Sequence, residues 1–278
     1  MPAWAGKRGL ATVLGLALLA TAPQAPAQTS DLVSQTRLRV CADPANMPFS
    51  NKEGEGFENK IAELLAAKLE RPLEYTWFPQ ALGFVRRTLG ANRCDLIIGF
   101  AQGHELVLNS NHYYTSSYVV VTKPDSPLAA VDRITDPALQ GKRIGVMAGA
   151  PPATHMARNG LIGKAKGYRL MVDRRVESPA EQAISDLQSG ETDAAILWGP
   201  IGGYFAKQQG LTATPLLLEE GAPRLFYRIT LGVRQGELKW KRELNKLIRR
   251  NQTEIDAILT EYGVPLIDEQ GKTVKAAR

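Results

Sequence analysis

The chain has 278 residues, 44% hydrophobic and 22% charged, with a formal net charge of +6. This composition is ordinary for a globular protein of about two domains and excludes disordered and fibrous classes. The small basic excess, without an aromatic-basic groove pattern, excludes a nucleic-acid binder, and two cysteines with three scattered histidines give no zinc-ligand spacing.

At the N-terminus, Lys7 and Arg8 precede an apolar run from Leu10 to Ala20 and the small-x-small triplet Ala25-Pro26-Ala27. This predicts a secretory signal peptide over 1–27. The run is shorter than the about 20 residues a membrane span needs. Cleavage leaves 251 residues and a charge of +4, since the leader carries only Lys7 and Arg8. No cysteine sits beside the cleavage site, so no lipid anchor is expected and the periplasm is the expected compartment.

From Leu38 to Ala42 the sequence reads as a strand ending at Asp43-Pro44. Ile61, Leu64, Leu65 and Leu69 recur at helical spacing and predict a helix over Phe57 to Leu69. A strand over Leu73 to Phe78, a helix over Ala81 to Leu89 and a strand over Asp95 to Phe100 follow. This alternation implies a parallel sheet flanked by helices. After a strand from Tyr118 to Lys123, Pro124 and Pro127 interrupt the pattern and a second α/β series begins. It has strands over Arg143 to Met147, Tyr168 to Val172 and Asp193 to Leu197, and helices over Pro152 to Arg158 and Ala180 to Gln188. A strand over Tyr227 to Arg234 and one long amphipathic helix over Leu238 to Leu259 then return the chain to the first unit. The expected division is lobe 1 over 28–122 plus 227–278 and lobe 2 over 123–226, joined by two crossings.

Ligands of open α/β sheets bind beyond the carboxyl ends of the strands. That places Asp43, Trp77, Phe78, Phe100, Met147 to Pro152 and Trp198 at the cleft. The aromatics Phe49, Trp77, Phe78, Phe84, Phe100, Tyr118 and Trp198 read as a lined apolar cleft, with core packing the alternative for each one. Asp43 and Glu58 read as polar groups at its mouth, or as turn and helix caps. Cys41 and Cys94, the only cysteines, form a candidate disulfide for an oxidising compartment; a Cα separation beyond about 7 Å would forbid it. The basic stretch Lys239 to Arg250 reads as a solvated helix face or as a docking surface for an acidic partner. No nucleophile elbow, phosphate loop or dense acidic loop is found, so neither catalysis nor a cofactor or metal is expected.

These elements in this order resemble the type II periplasmic solute-binding proteins over about Leu38 to Ile267. The resemblance implies a two-lobed α/β fold with a ligand cleft. Three positions depart from its amino-acid-binding members. Where those carry an arginine after the third strand, Gly99 to Leu106 ends in leucine, which cannot grip a carboxylate. Where they carry a Gly-Thr-Thr turn at a helix start, this chain has Gly149-Ala150-Pro151-Pro152, which lacks two N–H donors and both hydroxyls. Where they carry an aspartate for the ligand ammonium, it has Trp198. Each such contact is worth about 1.5–3 kcal/mol, so losing three costs on the order of four decades of zwitterion affinity.

The segments Leu38 to Pro44, Met47 to Asn51, Gly54 to Ala62 and Tyr75 to Gln80 are similar to the quinoprotein-dehydrogenase-associated periplasmic proteins of the MoxJ/XoxJ type. This resemblance implies a non-enzymatic accessory protein whose partner is a PQQ-dependent methanol or alcohol dehydrogenase. The alternative is an ABC-transporter receptor for an apolar or weakly polar solute, which would dock on a permease.

Overall fold

The computed structural model describes residues 1–3, 32–217 and 221–275; the expected signal peptide, apart from its first three positions, lies outside them. The compact unit from Leu32 onward contains β1 (Leu38–Ala42), β2 (Ala45–Asn46), β3 (Ser50–Asn51), α1 (Phe57–Leu69), β4 (Leu73–Trp77), α2 (Phe84–Arg87), β5 (Leu96–Ala101) and β6 (Leu108–Thr122). These are followed by β7 (Ile144–Met147), α3 (Pro151–Arg158), β8 (Lys166–Tyr168), α4 (Pro179–Ser189), β9 (Ala194–Trp198), α5 (Gly199–Gln209) and β10 (Thr212–Pro215). Last come β11 (Phe226–Val233), α6 (Leu238–Arg250) and α7 (Gln252–Glu261).

Two lobes share one strand. In the first, β4, β1 and β5 are parallel, and β11 and β6 extend the sheet antiparallel. In the second, β8, β7 and β9 are parallel and β9 and β10 pair antiparallel with β6. The early part of β6, to Ser117, pairs with β11, and its last residues, from Tyr118, pair with β9 and β10. β6 thus passes unbroken from one lobe to the other.

Helix α1 buries Phe57, Ile61, Ala62 and Leu65 at helical spacing against β1, β5 and α7. Its entry is fixed by the Asn59 Oδ1, which accepts the Asn51 and Gly56 N–H groups. Gly56 is required there, because a Cβ would lie 2.0 Å from the Phe49 carbonyl oxygen. The lobe-2 core has Ile144, Met156, Ile196 and Leu128 on one sheet face and Ile184, Leu187, Leu197 and Phe205 on the other.

Several boundaries differ from the sequence reading. β8 runs over Lys166–Tyr168 rather than Tyr168 to Val172, because its parallel partner β7 ends at Met147, opposite Tyr168. α2 is a single turn opened by Gly83 at φ 87°. The expected 238–259 helix breaks at Asn251, whose side chain turns back to the Leu247 carbonyl (2.8 Å). α5 and β10 were not foreseen. Cys41 and Cys94 are joined in a disulfide, with Cα atoms 5.5 Å apart, tying β1 to the approach of β5.

Candidate functional site: the interlobe cleft

A cavity of about 480 Å³ opens between the lobes. Lobe 1 contributes Pro44, Ala45, Met47, Asn51 and Glu53, from the β1–β3 turns. Most of the remaining wall belongs to lobe 2: Met147 at the end of β7, Leu170 and Val172 after β8, and Leu197, Ile201 and Phe205 from β9 and α5 make its apolar surface. The helix α5 can lie this close to β6 because Gly202 would put a Cβ 2.4 Å from Val119 and Gly203 one 2.0 Å from the Gly263 carbonyl oxygen.

Trp198 and Tyr118 stand together where β9 meets β6, at paired register positions. Their rings meet edge to face at 5.4 Å, and Tyr227 meets Trp198 at 5.7 Å from the other side. An indole thus occupies the hinge side of the cleft, and burial pushes the Tyr118 phenol above its usual range.

The remaining residues singled out from sequence are placed elsewhere. Phe49 packs on Phe57 in the lobe-1 core (5.2 Å). Trp77 stacks on Tyr75 (4.5 Å, 19° between planes). Phe78, Phe84 and Phe100 gather around the disulfide, and Phe100 also meets His104. Pro151 and Pro152 form the first turn of α3, whose cap Ala150 offers no side-chain oxygen, and Ala150 rather than either proline lines the cavity. Leu106 is exposed on a loop outside the cavity lining.

Asp43 is a buried turn cap, its carboxylate accepting the Ala45 and Gln80 N–H groups at 2.9 and 2.6 Å. Glu58 is buried in the first turn of α1, over Gly99, where a Cβ would fall 1.8 Å from its Oε1. Burial, and then the negative charge of Asp43, hold the Glu58 carboxyl well above the usual range; Arg174 partly offsets them. That arginine belongs to the lobe-2 segment after β8. Arg174 is exposed overall, and the negative charges of Asp43 and Glu58 favour its charged form.

The cavity is therefore not uniformly oily. Arg169, Arg174, Glu53 and Glu181 stand among its walls. The signal missed in the sequence was the run Arg169 to Val176, read in part as a strand. Outside the sheet, it brings two arginines to the cavity and leaves Leu170, Met171 and Val176 exposed (45%, 65% and 83%). Among the described residues no cluster of three His, Cys, Asp or Glu side chains is placed to hold a metal ion. No described helix is long and apolar enough to cross a membrane.

The paired lobes around a hinge-side cleft define a binding-protein scaffold, and the chain belongs to the bacterial extracellular solute-binding proteins, family 3, whose model matches residues 38–265. It is similar to the periplasmic binding protein XoxJ of Methylobacterium extorquens AM1, whose crystal structure it matches with a TM-score of 0.71 at 42% identity over 84% of this chain and all of that one. It resembles MxaJ of Methlophaga aminisulfidivorans MPT with a TM-score of 0.70 at 27% identity, over 83% of this chain and all of that one. It is also 29% identical to Protein MoxJ of Paracoccus denitrificans over 91% of this chain and 95% of the relative. The MoxJ/XoxJ resemblance read from the sequence stands.

Proposed function

We propose that this is a non-enzymatic periplasmic accessory protein that binds and assists a PQQ-dependent methanol or alcohol dehydrogenase through its interlobe cleft and rim. In this reading the chain leaves lobe 1 at 122/123, the end of β6, and returns to it at 226/227, the start of β11. The observation that carries this reading is the lobe-2 segment after β8: Leu170 lines the cavity, Met171 and Val176 in the same run expose apolar side chains, and the hinge side of the cavity is indole rather than carboxylate. Apolar side chains grouped at a cavity mouth mark a partner surface, and the MoxJ-type relatives supply the kind of partner.

The test is titration of the immobilised protein with purified PQQ-dependent methanol dehydrogenase. Specific, saturable binding is expected, and the double substitution Met171→Asp/Val176→Asp is expected to weaken it at least about tenfold, or roughly 1.4 kcal/mol, while stability stays within about 0.5 kcal/mol because both sites are exposed. Absence of binding by the unaltered protein, or equal binding by the variant, overturns the reading.

One observation favours a second reading, an ABC-transporter receptor for an apolar or weakly polar small solute. The cavity floor of Met147, Val172, Leu197, Ile201 and Phe205 is apolar and the volume suits a small molecule. A thermal-shift screen separates the two, since a solute at 100 times its Kd stabilises the protein by about 2.7 kcal/mol.

A further inference from the structure

Helix α6 carries six cations, Lys239, Lys241, Arg242, Lys246, Arg249 and Arg250, and one acid, Glu243. Its apolar side, with Trp240, Leu244, Leu247 and Ile248, is buried in the lobe-1 core, and Glu243 is turned toward Arg71 at 3.6 Å. Lys239, Arg242, Lys246 and Arg249 recur at steps of three and four, so they form one exposed stripe about 15 Å long at 1.5 Å per residue. Arg250 lies beside its end. Among the described residues no acid pairs with Arg242, Lys246, Arg249 or Arg250.

That arrangement weakens the helix that bears it. Arg242 and Lys246, Lys246 and Arg249, and Lys246 and Arg250 are like charges at helical-neighbour spacing, which is unfavourable. The helix dipole rewards Arg249 and Arg250 in the last turn, but its reach ends before Arg242. Lys241 and Arg249 also line one side of a groove of about 1030 Å³ along β6, whose charged lining is otherwise mixed, with Lys275, Asp268 and Glu269; the uncompensated charge is therefore that of the helix stripe itself.

We propose that the exposed face of α6 is a docking surface for an acidic protein, distinct from the interlobe cleft. The Trp240 Nε1–H donates to the Asp95 carbonyl beside the start of β5, whereas the cleft lies toward the carboxyl ends of the strands. An acidic protein fits better than an anionic bilayer. Interfacial helices need apolar side chains free to insert, and those of α6 are committed to the core, with Leu238 at the first position the one exposed exception.

The test uses labelled poly-L-glutamate as the acidic probe and phosphatidylglycerol vesicles as the membrane alternative. The intact protein is expected to bind poly-L-glutamate at low salt and to lose affinity steeply as salt rises. Arg242→Glu/Lys246→Glu/Arg249→Glu is expected to lower that affinity at least about tenfold, with binding free energy falling accordingly. The equally charge-altered control Arg86→Glu/Lys123→Glu/Lys164→Glu, at exposed sites outside α6, is expected to change it little. Equal losses in the two triples reduce the stripe to net charge and overturn the proposal, as does preference for the vesicles. Independently, Arg242→Glu alone places an acid four residues before Lys246 and is expected to raise the melting midpoint by about 1–3 °C; a fall would show that the stripe does not burden the helix.

Discussion

The two walls of the cleft are built differently. On the lobe-1 side the backbone is held by buried contacts: Asp43 caps two N–H groups, Asn59 caps two more, and the Cys41–Cys94 bridge fixes β1 to β5 behind them. On the lobe-2 side, the run after β8 is outside the sheet and the ion pairs Arg169–Glu177 and Arg175–Asp173 within it are solvent-exposed. Exposed pairs of this kind contribute little. A solute receptor gains affinity from having both walls preorganised, whereas one firm wall facing one adaptable, partly apolar wall suits a surface that must fit a protein.

The largest expected effect tests the firm wall. The disulfide closes a loop with a sequence separation of 53, and the chain-entropy relation puts its contribution at about 4 kcal/mol, with 2–4 kcal/mol typical in practice. Cys41→Ser/Cys94→Ser should therefore lower the unfolding free energy by an amount in that range, which at a urea slope of about 1–3 kcal/mol/M moves the midpoint down by roughly 1–2 M. If the double variant unfolds at the unaltered midpoint, the lobe-1 wall owes its rigidity to something other than the bridge and the contrast loses its main support.

A smaller effect is expected at the hinge, where Trp198 is half-buried and touches an aromatic ring on each side. Trp198→Ala removes both edge-to-face contacts, each worth about 0.5–1.5 kcal/mol beyond burial. Destabilisation of about 2–3 kcal/mol is expected, below the range for a fully buried tryptophan. A loss under about 0.5 kcal/mol would mean that Trp198 serves the cleft alone and leaves the joint between the lobes unaffected.

The same contrast governed what could be read from the sequence. α1 was legible to the residue because Phe57, Ile61 and Leu65 repeat at its period and point into one core. The early part of β6 was not, since Asn109, Ser110, Asn111 and His112 carry no apolar alternation although the segment pairs with β11. α5 was hidden by Gly199, Gly202 and Gly203, residues that weaken a helix locally yet are needed where it approaches Ser117, Val119 and Gly263. At the site, Trp198 and Tyr118 were visible because they lie at strand register positions. Arg174 was not, because its approach to Asp43 and Glu58 depends on the path of a segment with no ladder to fix it.

Glu58 gives the finest test, because it belongs to the firm wall but senses the adaptable one. Burial raises its carboxyl first, and the Asp43 charge raises it further, against the opposing Arg174. An acid whose folded pKa lies above its unfolded value binds its proton more tightly when folded. Stability is therefore full below the unfolded value of about 4.3 and declines as pH rises toward the folded pKa. Glu58→Gln keeps the shape and does not titrate, so it should melt higher than the unaltered protein at pH 8 and lose that advantage at pH 4. Arg174→Gln removes the offsetting charge and should steepen the decline between those pH values while Glu58 is present, but have no such effect in the Glu58→Gln background. Parallel pH profiles for the unaltered protein and Glu58→Gln would show that Glu58 does not carry this dependence; an Arg174→Gln effect surviving in both backgrounds would detach the lobe-2 segment from the buried acid and leave the two walls electrostatically independent.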